Sequence, residues 1–155
     1  MERITQKTFF ENPVIANLPE RPLIYTSYFS NLKRLKADQT VVPVSIARGT
    51  PRWAGQVERY LGLAPTREML DAKLTMAQYD EQFLDILYRL DPRETLAEIT
   101  SLAGRGRSPV LLCWEKPGDF CHRRHVAEWL EHNCKIVIAE YGLAREATET
   151  HFNWT

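Results

Sequence analysis

Residues 109–139 have the sequence PVLLCWEKPGDFCHRRHVAEWLEHNCKIVIA, and this stretch decides the fold class. The run Pro109–Trp114 is continuously apolar, which is typical of a parallel strand buried on both faces. A loop containing Pro and Gly follows, and Cys121–His132 places its apolar residues on one helical face. Lys135–Ala139 is another strand-like run. A strand, a helix and a second strand in this order predict a parallel sheet with right-handed crossovers.

The first half of the chain adds two predicted strands, Leu23–Tyr28 and Val41–Ile46, on either side of a short helix at Leu32–Ala37. Pro43 cannot donate a ladder hydrogen bond. We therefore expect the second strand at a sheet edge, or Pro43 at its start or at a bulge.

The middle of the chain is predicted to be helical. Thr66 and Thr75 are candidate helix caps, and Pro92 fits the first turn of a further helix. Together these elements predict a single α/β domain over residues 1–155, a Rossmann-like three-layer fold with a mainly parallel sheet of about four to five strands. Residues 1–20 are expected to form an irregular N-terminal arm and residues 143–155 a C-terminal tail.

Composition excludes several classes of protein. The chain has 155 residues and no formal net charge, so it is not a strongly basic nucleic-acid binder, although a local basic patch is compatible with these numbers. No apolar run approaches the ~18 residues of a membrane span. The first residues lack the apolar core of a signal peptide, and the number of cysteines is odd. We therefore expect a cytoplasmic protein with reduced thiols and no membrane partner.

Three candidate catalytic residues follow the strand Pro109–Trp114. Ligands of parallel sheets bind beyond the carboxyl ends of the strands, where Glu115, Cys121 and His122 are expected. Cys121 is either a thiolate nucleophile, activated by a helix N-terminus, or a packing residue. His122 is either an acid–base group or a structural histidine. Glu115 is a general base, an acceptor for a ligand hydroxyl or the ion-pair partner of Arg123.

Four further residues are candidates for ligand binding. Arg123 lies at the predicted helix N-terminus, where the helix dipole favours an anion. Arg48 and Arg52 lie in a loop that follows another strand, so they are expected at the same edge of the sheet. Arginine grips phosphate or carboxylate with two donors. Tyr79 begins an apolar helical stripe and is either a ligand contact or a packing residue.

The spacing of the cysteines and histidines disfavours two other kinds of site. A cysteine-dependent phosphatase requires Arg six residues after Cys, but the residues at that distance are Asp119 and Ala127. A zinc site would have to combine Cys113, Cys121, His122 and His125, whose spacing differs from that of paired zinc ligands. We expect neither a metal nor a cofactor, and keep a metal site only as an alternative.

The segment LLCWEKPGDFCHRRHVAEWL resembles the signature of the family called domain of unknown function 488, or DUF488. The matching positions are Leu111, Leu112, Cys113, Glu115, Cys121, His122 and Arg123. Arg48 and Pro51 resemble the arginine and proline of a loop that follows another strand in this family, although the Asp usual before that arginine is absent here. Tyr79 and Phe83 resemble the aromatic residues of the helix that precedes the family's signature strand. The resemblance implies a compact α/β fold with a shared polar pocket, and implies no particular reaction.

The sequence therefore predicts a domain that binds a small anionic or phosphate-bearing ligand, such as a nucleotide or a nucleic-acid end. Whether the domain is an enzyme stays open. The alternatives are a non-catalytic binding or regulatory module, in which Cys121–Arg123 is a structural lock, and a metal site.

Overall fold

The computed structural model describes residues 24–114 and 122–143, together with Phe152 and Trp154. The predicted N-terminal arm, most of the predicted tail, and the candidate residues Glu115 and Cys121 lie outside these ranges. None of the helices in the described part of the chain is both long and apolar enough to cross a membrane.

Within the described residues, five parallel strands form one sheet, which confirms the predicted sheet type and strand number. They are β1 (Ile24–Tyr28), β2 (Val41–Ser45), β3 (Glu58–Arg59), β4 (Ser108–Cys113) and β5 (Ile138–Glu140). The spatial order is β3-β2-β4-β1-β5, so β4 lies at the centre of the sheet. The strands β2 and β5 therefore flank the β4–β1 pair on opposite sides.

Helices cover both faces of the sheet. They are α1 (Leu32–Ala37), α2 (Arg67–Asp71), α3 (Met76–Tyr88), α4 (Pro92–Ala103) and α5 (Arg123–Cys134). Val110 and Leu112 of β4 pack with α1, whereas Leu111, between them, packs with α3, α4 and α5. This alternation follows from the period of two along a strand, and it explains why β4 is apolar throughout. The three-layer α/β fold is as predicted.

Side-chain caps start three helices where the sequence predicts them. Thr66 caps α2 by accepting a hydrogen bond from the backbone of Met69. Thr75 and Gln78 form a capping box at the start of α3. Asp91 caps α4, whose first residue is proline. These local bonds place the apolar stripes of the helices against the sheet.

The position of β2 differs from the prediction. Because β3 pairs with Val44 and Ser45, β2 is not the edge strand. Pro43 pairs only with Val110 of β4, and β3 begins one residue later, so the missing N–H of the proline leaves no gap in the β2–β3 ladder. The strand β3 was not predicted because two exposed, charged residues carry no strand pattern.

Helix α5 and strand β5 are both shifted towards the C-terminus relative to prediction. The helix continues to Cys134 and ends where Lys135 adopts a left-handed conformation, with φ of 57°. The next strand therefore starts only at Ile138, whose backbone N–H donates to the Glu131 carboxylate.

Candidate functional site

A cavity of about 330 Å³ opens at the carboxyl ends of β2 and β4. This is the edge at which parallel sheets bind ligands. Its lining combines a cation, a histidine and two aromatic residues with mostly apolar side chains. The lining residues are Ala47, Arg48, Gly49, Pro65, Met69, Leu70, Ala72, Leu74, Tyr79, Cys113, Trp114 and His122. A wider groove of about 720 Å³ beside α3 contains none of the candidate residues.

Arg48 supplies the positive charge of this cavity. Its side-chain Nε donates to the carbonyl oxygen of Pro65 at 2.9 Å, and its own carbonyl accepts from Arg59 at 2.8 Å. The side chain is half-buried, and its two terminal nitrogens have no hydrogen-bond partner among the residues that the structure describes. Within the part of the chain that the structure describes, the guanidinium is thus tethered at Nε only, and both terminal nitrogens can donate to a ligand.

His122 connects the start of α5 to the end of β2. Its Nε2 donates to the carbonyl oxygen of Ile46 at 2.7 Å, because a carbonyl can only accept. The ring of Phe83 packs edge-on against the imidazole, with 4.9 Å between the ring centroids. Burial is the largest cause that lowers the pKa of His122, to about 4. The imidazole is therefore neutral near pH 7, with Nδ1 as its acceptor nitrogen.

Tyr79 and Trp114 add aromatic surface. Tyr79 lies one turn into α3 and stacks on Phe83, with 6.2 Å between the centroids. Trp114 directly follows β4, and its indole N–H donates to the carbonyl oxygen of Gly49 at 2.9 Å. The sequence predicts Trp114 only as the last residue of a strand, and not as a site residue. The available signal was an aromatic residue at the carboxyl end of a buried central strand.

Arg123 lies in a different part of the fold. Its side chain is 3% exposed, and its Nε donates to Glu140 of β5 at 3.1 Å. Thr26 of β1 donates to the same carboxylate oxygen at 2.7 Å. Another guanidinium nitrogen contacts the sulfur of Cys113 at 3.2 Å. The guanidinium is thus part of a buried network between α5, β1 and β5, and it is not among the residues that line the cavity.

Only some of the predicted site residues line the cavity. The structure brings Arg48, Tyr79 and His122 together around one cavity. Arg52 is exposed at the start of the 3₁₀ turn Arg52–Ala54 and does not line the cavity. Cys121 and Glu115 lie outside the described residues, so the predicted pairing of Glu115 with Arg123 stays a prediction.

Cys113 is disulfide-bonded, whereas Cys134 is a free thiol. The expectation that all thiols are reduced is therefore wrong for Cys113. The disulfide was not predicted, because Cys113 lies in an apolar strand and sequence separation does not show which sulfur atoms meet in space. A sulfur in a disulfide is not a thiolate, so Cys113 is not available as a zinc ligand.

His125 belongs to a second aromatic cluster, on the α3 side of α5. Its Nε2 is 2.7 Å from a carboxylate oxygen of Asp80, and the ring of Phe152 stacks on it at 4.3 Å. Burial is the largest cause that lowers the pKa of His125. Among the described residues, no group of three or more His, Cys, Asp and Glu side chains could hold a metal ion.

The positive end of the α5 dipole also lies at this edge of the sheet. The helix has 12 residues, and its N-cap residue, His122, makes no capping hydrogen bond with its side chain. Because His122 lines the cavity, the helix begins next to the cavity wall. The unpaired N–H groups of a first helical turn favour negative charge.

No protein-family model matches this chain, and comparisons with curated proteins and with solved structures find no match either. The resemblance to the DUF488 family therefore stays a prediction.

Proposed function

We propose that this domain binds a small organic anion in the cavity at the carboxyl ends of β2 and β4, with Arg48 as the residue that binds the anionic group. The observation that carries the proposal is the state of the Arg48 side chain. One nitrogen is fixed by Pro65, and the two terminal nitrogens have no partner in the described part of the chain. This arrangement supports two-pronged binding of a phosphate or carboxylate.

The remaining lining supports an organic molecule rather than a bare ion. Met69, Leu70 and Leu74 supply apolar surface, and a volume of about 330 Å³ is at the small end of ligand pockets. The neutral His122 ring supplies an acceptor for a hydroxyl or amino group of the ligand. A nucleotide is one class of ligand that combines these features.

Calorimetric titration with adenosine 5′-monophosphate tests this proposal. Replacement Arg48→Gln should weaken binding about 10- to 100-fold, because a hydrogen bond to a charged group contributes roughly 1.5–3 kcal/mol. Arg48→Lys keeps the positive charge but loses the planar, two-pronged guanidinium. Its affinity should therefore lie between those of the wild type and Arg48→Gln. Arg52→Gln is the matched control, because Arg52 is exposed and does not line the cavity. Equal affinities of wild type and Arg48→Gln would refute the proposal, as would a complete lack of binding at millimolar nucleotide.

A binding module without catalysis is favoured over an enzyme by two contacts. The imidazole of His122 is engaged with Ile46, and the guanidinium of Arg123 is engaged with Glu140. Both side chains thus connect α5 to the sheet, as expected for a structural lock. Alkylation of Cys121 separates the two roles. Because Cys113 is disulfide-bonded, the protein is reduced before alkylation. Labelling of Cys121 that then still requires unfolding supports the lock, whereas rapid, pH-dependent labelling of the reduced, folded protein supports a catalytic thiol.

A further inference from the structure

Trp114 combines exposure with rigidity at the rim of the cavity. Its side chain is 49% exposed, although most lining residues are apolar and several are fully buried. An indole ring is a large, flat apolar surface on which another aromatic ring can stack. The ring of Trp114 therefore offers an open apolar surface next to the cavity that contains Arg48.

Two contacts fix the plane of this ring. The indole N–H donates to the carbonyl oxygen of Gly49 at 2.9 Å, and the ring packs edge-on against Phe29 with 5.7 Å between centroids. Phe29 is itself buried, at 1% exposure. The indole thus has a rigid support and pays little additional entropy when a second ring stacks on it.

The loop beside Trp114 is open at Gly49. A side-chain carbon added at Gly49 would meet no atom within 4 Å. Gly49 lies directly after Arg48, so the open space, the fixed indole and the guanidinium occur on adjoining parts of the same cavity wall. A ligand with an anionic group and a planar ring matches both groups at once.

We propose that Trp114 is a stacking platform that selects ligands with a planar aromatic ring, such as the base of a nucleoside phosphate. This inference rests on the proposed function, because it concerns the ligand held by Arg48. Aromatic stacking on a nucleobase recognises the π-face of the ring, so it favours ring-bearing ligands over sugar phosphates and tolerates different bases.

Titration calorimetry with two probes, adenosine 5′-monophosphate and ribose 5-phosphate, tests the inference. They share the phosphorylated sugar and differ in the base. The wild type should bind the nucleotide about 5- to 100-fold more tightly, which is the range expected for one stacked base. Trp114→Ala should remove this preference, so that the nucleotide and ribose 5-phosphate bind with equal affinity. Trp114→Phe should retain most of it, because a ring remains.

Trp53→Ala is the matched control. Trp53 is 64% exposed and does not line the cavity, so its replacement should leave both affinities unchanged. Equal binding of the two probes to the wild type would overturn the stacking role and leave the proposed function intact. A preference that persists in Trp114→Ala would also overturn it. If neither probe binds, the proposed function fails, and the stacking role fails with it.

Discussion

Replacement of His122 by glutamine should change how the stability of the protein depends on pH. The pKa of His122 is lowered to about 4 in the folded protein, mainly by burial, whereas an unperturbed histidine has a pKa of about 6.5. Between these values the unfolded chain binds a proton that the folded protein does not. His122 therefore stabilises the fold fully above pH 6.5, and this contribution falls as the pH drops towards 4.

The size of the effect follows from the two pKa values. Linkage gives a loss of about 2 kcal/mol at pH 5 and roughly 3 kcal/mol at pH 4, relative to pH 7. His122→Gln keeps an N–H that can reach the Ile46 carbonyl and has no titrating ring. Urea unfolding at pH 7 and pH 5 should thus show a fall in the free energy of unfolding that is about 2 kcal/mol larger in the wild type.

His132→Gln is the control for the loss of a histidine, because its side chain is exposed. It should follow the wild-type pH dependence. Nuclear magnetic resonance of wild-type ring protons gives an independent measurement, in which the His122 signals should stay unchanged until the pH falls towards 4. Parallel pH curves for wild type and His122→Gln, or a His122 signal that titrates near pH 6.5, would refute the argument from burial.

Three further substitutions test the contacts that support the site. Arg123→Met should lower the free energy of unfolding by about 3–5 kcal/mol, because Glu140 loses its buried partner, and adding Glu140→Gln should restore part of the loss in urea unfolding. Thr75→Ala should lower the free energy of unfolding by about 1 kcal/mol, because it removes a helix cap. Thr100→Ala, within a helix, should lower it by less in the same assay. Phe83→Ala should cost about 3–5 kcal/mol by leaving a cavity beside two histidine rings, and unchanged thermal stability would contradict that packing role.

The fold was predictable where local chemistry and periodicity agree. The apolar run of β4 and the caps Thr66 and Thr75 act over a few residues, and the structure confirms them. The pair Glu58–Arg59 was missed because it forms a strand only through its pairing with β2. That pairing is a tertiary contact, which the two charged residues do not indicate by themselves.

The orientation of the site side chains was harder to predict than the fold. His122 and Arg123 are neighbours in sequence, but adjacent residues at a helix start do not face each other. His122 contacts Ile46 after β2, whereas Arg123 contacts Glu140 of β5 on the opposite side of the central strands. Their proximity in sequence predicts one shared pocket. Sequence spacing alone does not show the direction in which each side chain leaves the helix axis.

A crystal structure of the domain with adenosine 5′-monophosphate tests the central claim most directly. The phosphate should lie within hydrogen-bond distance of the terminal nitrogens of Arg48, inside the cavity at the carboxyl ends of β2 and β4. A nucleotide bound elsewhere on the molecule, with this cavity unoccupied at saturating ligand, would contradict the assignment of Arg48 as the anion-binding residue.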